Sequence, residues 1–378
     1  MDLLLNTPIN SLSYGNVGYY LLKYLKNKLS LGLIPIGQIS SLENFLPQQD
    51  DINNIENSIN KVMLEYTREI PSIRNFHEFD LLACPSKKIL GLSFFEINTL
   101  DPIRLFNLKN IDYVLAPSTW AMNVLNNFNI QSYYVPIGYE PTIFKPLNLN
   151  KKNDTYTFLT VGKFELRKNT EMLIKIFNKL FGANQNIKLK VICHNPFVKD
   201  MNVIYNFLRS KYSLNENVEF IDWVPNLSKL NEVYNSVDCM VLPTRSEGFC
   251  LPALESLAVG LPLIITNYSA HTDFVNDQNS FLLKDIKLVS ADDSKYEVPN
   301  YQSWFRGLGE WAEINEDELA AKMQYVVKNN IRKNEEGLKT AQNFTWEKSI
   351  EKLMSFLDEQ NIIETESCGP KCCGGVCK

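Results

Sequence analysis

The chain has 378 residues, 45% of them hydrophobic, which is enough to bury two ordinary cores. Its formal net charge of -5 argues against a nucleic-acid binder, which normally presents a basic face. No apolar run reaches about 18 residues, so no spanning helix is expected, and the start, MDLLLNTPIN, carries an acid at position 2 with no basic stretch, unlike a secretory signal. The expectation is a cytoplasmic protein of two domains.

Residues 2–6 read as a first strand, followed by a loop in which Gly15 and Gly18 open an amphipathic helix. The basic end of that helix, residues 21–28, leaves peripheral lipid contact open. Residues 31–37 suit a second strand. Residues 48–69 suit a surface helix, with Ile52, Ile55, Ile59, Val62 and Tyr66 at helical spacing. His77 reads as a packed or surface histidine rather than a site residue. Residues 89–97 form a strong strand pattern leading to Glu96. A further strand, DYVLAPS, ends on a serine cap before the helix TWAMNVLNNF. Residues 145–154 are polar and aperiodic, as in a hinge.

The second half opens with TYTFLTVGKFELRKN, an apolar strand ending at Gly162, after which Lys163, Arg167 and Lys168 arrive together before a helix starting near Thr170. Positive charge at a helix N-terminus opposes the dipole unless an anion is near, so this cluster predicts one. Residues 187–194 are a strand that would bring His194 to a carboxyl edge, where doubly wound sheets hold ligands. Residues 217–224 are another, followed by an amphipathic helix over 227–237. Residues 291–309 are irregular and aromatic, with Tyr301, Trp304 and Phe305, and read as an insertion. Helices follow over 316–329 and 332–343. Cys84, Cys193, Cys239 and Cys250 stand in apolar contexts as reduced core residues. Cys368, Cys372, Cys373 and Cys377 crowd a flexible tail whose spacing matches no zinc pattern.

The stretch that organises the rest is 238–260, DCMVLPTRSEGFCLPALESLAVG. It reads as strand, tight turn around Gly248, then a helix with Pro252 in its first turn and a stop at Gly260. Such a turn aims unpaired backbone N–H groups and the positive end of a helix dipole at one spot, as a phosphate requires. Glu247 and Glu255 bracket it, and carboxylates accept hydrogen bonds in pairs, which suits sugar or ribose diols. An anion site between two hydroxyl sites is the outline of a sugar nucleotide.

EGFCLPALE resembles the Glu-x7-Glu pattern of retaining glycosyltransferases of the GT-B fold, with glycogen synthase-like and phosphatidylinositol mannosyltransferase-like members. The resemblance implies an α/β protein of two Rossmann-like doubly wound domains facing across a cleft: 1–145 on the acceptor side, 155–345 for the nucleotide sugar, a helix over 346–360 returning to the first domain, and a Cys-rich tail over 361–378. It implies that Glu247 and the amides of Gly248, Phe249, Cys250 and Leu251 hold the donor sugar and phosphate and that Glu255 holds the ribose. Cys250 departs from the glycine that many members carry there. Lys163 and Lys168 match by spacing the pair that grips the diphosphate, and Arg167 can substitute for either. Gly15, with Tyr14 and Asn16, would lie near the reaction; His194 would border the donor; the loop 223–226, with Val224, would meet the base. Where related enzymes place a cleft histidine this chain has Phe95 and Glu96, so either Glu96 has a polar role toward donor or acceptor or this branch manages without that contact.

The activity so implied is transfer of a hexosyl group from a UDP- or GDP-sugar to a hydroxyl of a glycan, lipid or protein acceptor, with retention of configuration and with neither metal nor cofactor. An Asp-x-Asp pattern is absent, and the charges of Lys163, Lys168 and Arg167 take the place of a cation. The alternatives are a phosphorylase or epimerase of the same fold, whose own patterns are not evident, and a non-catalytic sugar-nucleotide-binding protein.

Overall fold

The short apolar runs become strands buried on both faces because each is followed by a helix that folds back over the sheet, which forces parallel neighbours. The computed structural model describes residues 1–148, 154–222 and 224–363; half of the expected hinge (149–153), Trp223 and the four terminal cysteines lie outside them. The first sheet takes β1 (Leu3–Thr7), β2 (Leu31–Pro35), β3 (Ser72–Asn75), β4 (Ile89–Leu92), β5 (Tyr113–Ala116) and β6 (Ser132–Tyr134) in the order β2-β1-β3-β4-β5-β6. Its helices are α1 (Ser13–Leu25), α2 (Gln49–Glu65), α3 (Pro102–Lys109) and α4 (Thr119–Asn126).

The second sheet takes β7 (Tyr156–Val161), β8 (Ile187–Ile192), β9 (Val218–Ile221), β10 (Cys239–Leu242), β11 (Leu263–Thr266) and β12 (Phe281–Leu283) in the order β12-β11-β10-β7-β8-β9. Around it lie α5 (Thr170–Phe181), α6 (Met201–Tyr212), α7 (Leu227–Ser236), α8 (Leu251–Ala258), α9 (Glu316–Lys328) and α10 (Glu335–Ala341). Both sheets are parallel throughout. The last helix, α11 (Trp346–Glu359), leaves the second unit and packs on the first: Trp346 stacks on Tyr20 of α1 at 5.2 Å, and Phe356 meets Tyr113 and Tyr133. One apolar core runs from Leu3 and Leu33 through Trp346 to Met240 and Leu254, so it is shared by the two units.

Three expectations are corrected. The strand pattern over 89–97 stops at Leu92; residues 93–97 run on as irregular backbone toward the second unit, because Ser93 and Glu96 find polar partners off the sheet. The aromatic insertion is the open end of an antiparallel hairpin, β13 (Ile286–Asp292) with β14 (Arg306–Ile314). The basic amphipathic stretch 21–28 gives its apolar side to the core: Leu21, Leu22 and Leu25 are buried, so that side is not open to a lipid surface. No helix among the described residues is long and apolar enough to cross a membrane. Cys84, Cys193, Cys239 and Cys250 are buried free thiols, as read from sequence.

Candidate active site

In the second sheet the strand order reverses between β7 and β10, which pair directly. A doubly wound sheet opens a crevice at such a switch point, beyond the carboxyl ends of the two strands. Two segments leave there: 162–169 after β7 and 243–250 after β10. The first makes a single 3-10 turn, Leu166–Lys168, that sends Arg167 inward and leaves Lys168 beside the crevice. The second carries Glu247.

These segments meet as a compact ion network. Lys168 Nζ lies 2.7 Å from each oxygen of Glu247. Arg167 Nη1 is 3.2 Å from Glu247 Oε2 and donates to the Ser246 carbonyl at 2.7 Å, while its Nη2 reaches Glu165 Oε2 at 2.9 Å and Glu96 Oε1 at 2.7 Å. Lys163 Nζ is 2.9 Å from Glu165 Oε1. One buried guanidinium thus serves three carboxylates, two from its own unit and one, Glu96, from the other. Burial alone would raise the Glu247 carboxyl, but Lys168 and Arg167 outweigh it and hold it down at about 2. Glu165 is likewise kept below the usual carboxylate range despite burial, chiefly by Arg167 and Lys163. Glu247 is further fixed by the Ser269 hydroxyl, which accepts from its amide at 2.8 Å.

Beyond Glu247 the chain turns into α8. Phe249 and Cys250 point their side chains into the core, Phe249 against Phe274 at 5.4 Å, so only their backbone can face a ligand. Cys250 adopts the left-handed conformation, φ 78°, that favours glycine and costs a side-chain residue about 1 kcal/mol. Burial and then Glu247 push its thiol up, so it is no nucleophile. The N–H groups of Gly248, Phe249 and Cys250 have no acceptor among the described residues, and with that of Leu251 they stand at the positive end of α8. Gly248 is glycine for a different reason: a Cβ there would lie 2.7 Å from Phe94 Cβ, in the other unit. Gly248→Ala is therefore expected to destabilise this contact between the two units by about 1–3 kcal/mol, read as a lower Tm; an unchanged Tm would contradict the close approach.

Glu255 lies inside α8 with both carboxylate and neighbours buried. Tyr234 donates to its Oε2 at 3.0 Å, and burial, opposed only by that bond, pushes its carboxyl up to about 7. A folded pKa above the unfolded one means the folded state binds the extra proton: the stabilisation is complete below about pH 4.5 and is lost as pH rises through 7. Glu255→Gln keeps an acceptor for Tyr234 and removes the titration. We expect the variant to match the wild type in Tm near pH 4 and to exceed it at pH 8, by up to about 3 kcal/mol of unfolding free energy; parallel pH–stability curves would contradict this.

The first unit contributes from the carboxyl ends of β1, β3 and β4. Tyr14 shares a 3.3 Å hydrogen bond with Ser93 Oγ, accepts from the Phe94 amide at 3.3 Å, and packs on Phe76, His77 and Phe94. Gly15 is buried, and a Cβ on it would collide with the Asn10 backbone, so its glycine is set by packing within the first unit. His77 is exposed as a residue, but its ring packs among Tyr14, Phe76 and Phe79, the last stacked at 5.1 Å; that partial loss of water, outweighing Glu78, lowers its pKa, and Arg104 and Lys163 add to it. Glu96 is half-exposed at the seam. His194 stands at the end of β8 with Nδ1 3.1 Å from Asp222 Oδ1. Val224 is half-buried after β9, an edge strand.

The structure thus brings Lys163, Arg167, Lys168, Glu247, Gly248 and Glu96 together, and Glu255 lies farther along α8. His194 follows β8, the neighbour of β7, where the Cys193 carbonyl accepts from the Phe164 amide of the segment leaving β7, whereas Val224 lies one strand farther out, after the edge strand β9. Sequence reasoning missed Glu165, whose only signal was its place between two basic residues, and Ser269. His271 is fully buried with Nε2 2.6 Å from the Thr266 carbonyl, a structural anchor under the Glu247 turn. Among the described residues no group of three or more His, Cys, Asp or Glu is arranged to hold a metal ion.

Residues 142–293, which contain this crevice, match the family model described as glycosyl transferases group 1. A virus protein, "Uncharacterized glycosyltransferase 335" of Sulfolobus islandicus rod-shaped virus 1, is 24% identical over 62% of this chain and 68% of its own length. The chain spans between 34% and 68% of the length of the first curated relatives it matches. Among solved structures, sucrose-phosphate synthase from Thermosynechococcus elongatus aligns at TM-score 0.68 and 16% identity over 95% of this chain and 98% of that one. Anabaena HepE in complex with UDP and glucose aligns at 0.64 and 11% over 96% and 99%. These likenesses show the fold, two Rossmann-like sheets in the GT-B arrangement.

Proposed function

We propose that this chain, a GT-B protein carrying a group 1 glycosyltransferase domain, moves a sugar from a nucleotide diphosphate sugar to an acceptor hydroxyl with retention of configuration. The reading divides it into an acceptor-side domain over 1–145 and a donor domain over 155–345. The observation that carries it is the convergence, at the β7/β10 switch point, of Lys163, Arg167 and Lys168 with Glu247 and the unpaired amides of the 248–251 turn. HepE, a neighbour in fold, is seen with UDP and glucose, which favours a UDP-sugar as the donor to try first.

On this reading the diphosphate lies between the amides and the three cations. Opposite charges about 4 Å apart in a partly dry cleft are worth several kcal/mol at an effective dielectric near 20. Without donor, Glu247, Glu165 and Glu96 neutralise those cations, so the arriving diphosphate competes with carboxylates already in place. Glu247 then turns to the sugar hydroxyls and Glu255 to the ribose. The C1–O bond to phosphate breaks, C1 bonds to the acceptor oxygen, and the acceptor proton passes to the departing phosphate oxygen, whose charge Lys163, Lys168 and the α8 N-terminus stabilise. Side-chain cations supply the charge, so turnover is expected to need no added metal. The test is release of nucleoside diphosphate from a panel of UDP- and GDP-sugars, with and without chelator. Release from one of them supports the reading; sugar-nucleotide binding with no release from any would leave a binding protein instead.

A further inference from the structure

Three large apolar side chains at the cleft mouth are kept in solvent, where the fold gains nothing from them. Phe197, in the loop after β8, is 48% exposed, and Trp304, at the open end of the β13–β14 hairpin, is 47% exposed. Their rings meet edge to face at 5.4 Å, and Lys163 Nζ sits over the Phe197 ring at 5.3 Å. Across the cleft, Phe79 is 46% exposed and stacks on His77, whose surroundings include Lys163.

The Phe197–Trp304 pair is held in place by buried polar groups. Asp293, 1% exposed, accepts from Trp304 N at 3.1 Å and Phe305 N at 2.8 Å, and from the hydroxyls of Tyr301 and Ser303 at 2.5 and 2.7 Å. Asn195, 2% exposed, accepts from Phe197 N at 3.1 Å and donates to the Phe164 carbonyl at 3.1 Å. The hairpin in turn is tied to the first unit, where Glu310 N donates to Asn98 Oδ1 at 2.8 Å. A buried carboxylate with both oxygens committed to one short loop fixes that loop's conformation, and a fixed loop that leaves an indole in water is preorganised for a ligand.

We propose that Phe197 and Trp304 form a stacking subsite for a pyranose ring of a glycan acceptor, at the rim of the donor crevice. The proposal rests on the glycosyl-transfer reading above and names the acceptor class. An aromatic face packs against the C–H face of a sugar ring and leaves the ring's hydroxyls wet at the rim. The edge-to-face pair leaves aromatic surface that a single pyranose covers; a nucleobase stacks on one aromatic face as well, and the UDP titration below separates the two. Lys163 links the subsite to the donor, since the same side chain touches Phe197 and Glu165.

The experiment titrates the full chain with UDP and then, with UDP bound, with soluble malto-, cello-, manno- and chito-oligosaccharides, by calorimetry. The wild type, Trp304→Phe and Trp304→Ala are compared. We expect at least one series to bind, its affinity to fall about tenfold in Trp304→Ala and to be kept largely in Trp304→Phe, with the UDP affinity equal in all three. Weaker UDP binding in Trp304→Ala would assign the indole to the base and overturn the proposal, as would binding of no series, or binding indifferent to Trp304→Ala. Failure of the wild type to bind UDP or GDP at all would instead sink the transfer reading.

Discussion

Glu247→Gln is expected to lower turnover of the preferred sugar nucleotide about 100-fold or more while leaving the affinity for free UDP equal or improved. The two effects part because of what Glu247 touches. In this structure it occupies Lys168 with both oxygens and Arg167 with one, so it competes with a diphosphate for the same cations. An uncharged amide of the same shape gives those cations back to the anion, yet loses the charged acceptor that a transition state with positive charge at the sugar requires. Measured kcat and UDP affinity check both halves. A variant that loses both in proportion would place Glu247 on the phosphate instead. Because its carboxyl is held at about 2, well below the unfolded value, its contribution to stability is present above about pH 4.5 and lost as pH falls toward 2, so the acid limb of a rate profile above pH 5 should belong to another group.

Arg167→Leu is expected to produce the largest loss of stability of any single change in the site, about 3–5 kcal/mol by denaturant titration. The guanidinium is 2% exposed and faces Glu96, Glu165 and Glu247 at once, so its removal leaves three carboxylates crowded with only Lys163 and Lys168 to offset them. The diagnostic is rescue: adding Glu165→Gln should recover part of the loss, since the double variant has one fewer uncompensated charge. A loss under about 1 kcal/mol, or additivity of the two changes, would show that the network is dispensable. Arg167→Lys should not rescue, because a point charge on a flexible stem cannot serve three partners in the fork geometry of a guanidinium.

Much of this was legible in the chain itself, because local chemistry carried it. The run from Cys239 to Ala258 announces strand, turn and helix through apolar length, a glycine and an early proline, and the cluster after Gly162 sets three cations against a single acid, Glu165. Both segments start one residue past a strand, so the parallel sheet alone brings them together. What was not legible depended on partners far away in sequence. The end of β4 at Leu92 is invisible in an apolar pattern that continues to Ile97, since the groups that draw Ser93 and Glu96 off the sheet, Tyr14, Glu78 and Arg167, are distant in sequence. The β13–β14 hairpin was hidden by the long aromatic loop between its strands, and by Gly307 and Gly309 at the start of the second. Gly15 and Gly248 were noticed as glycines, but their causes, the Asn10 backbone and the Phe94 side chain, are contacts that no spacing encodes. The clamping residues Glu165, Asn195 and Asp293 look like ordinary polar positions until the groups they hold are seen beside them.

The most direct test of the central claim, a diphosphate gripped at the β7/β10 switch point, is calorimetric binding of UDP and GDP to the wild type and to Lys168→Ala. Lys168 faces the crevice and its loss removes one of three converging cations, so we predict that the nucleotide the wild type binds is held at least about tenfold more weakly by the variant, and that the difference shrinks as salt is raised. Equal affinity of the two proteins for both nucleotides, at low salt, would contradict the account.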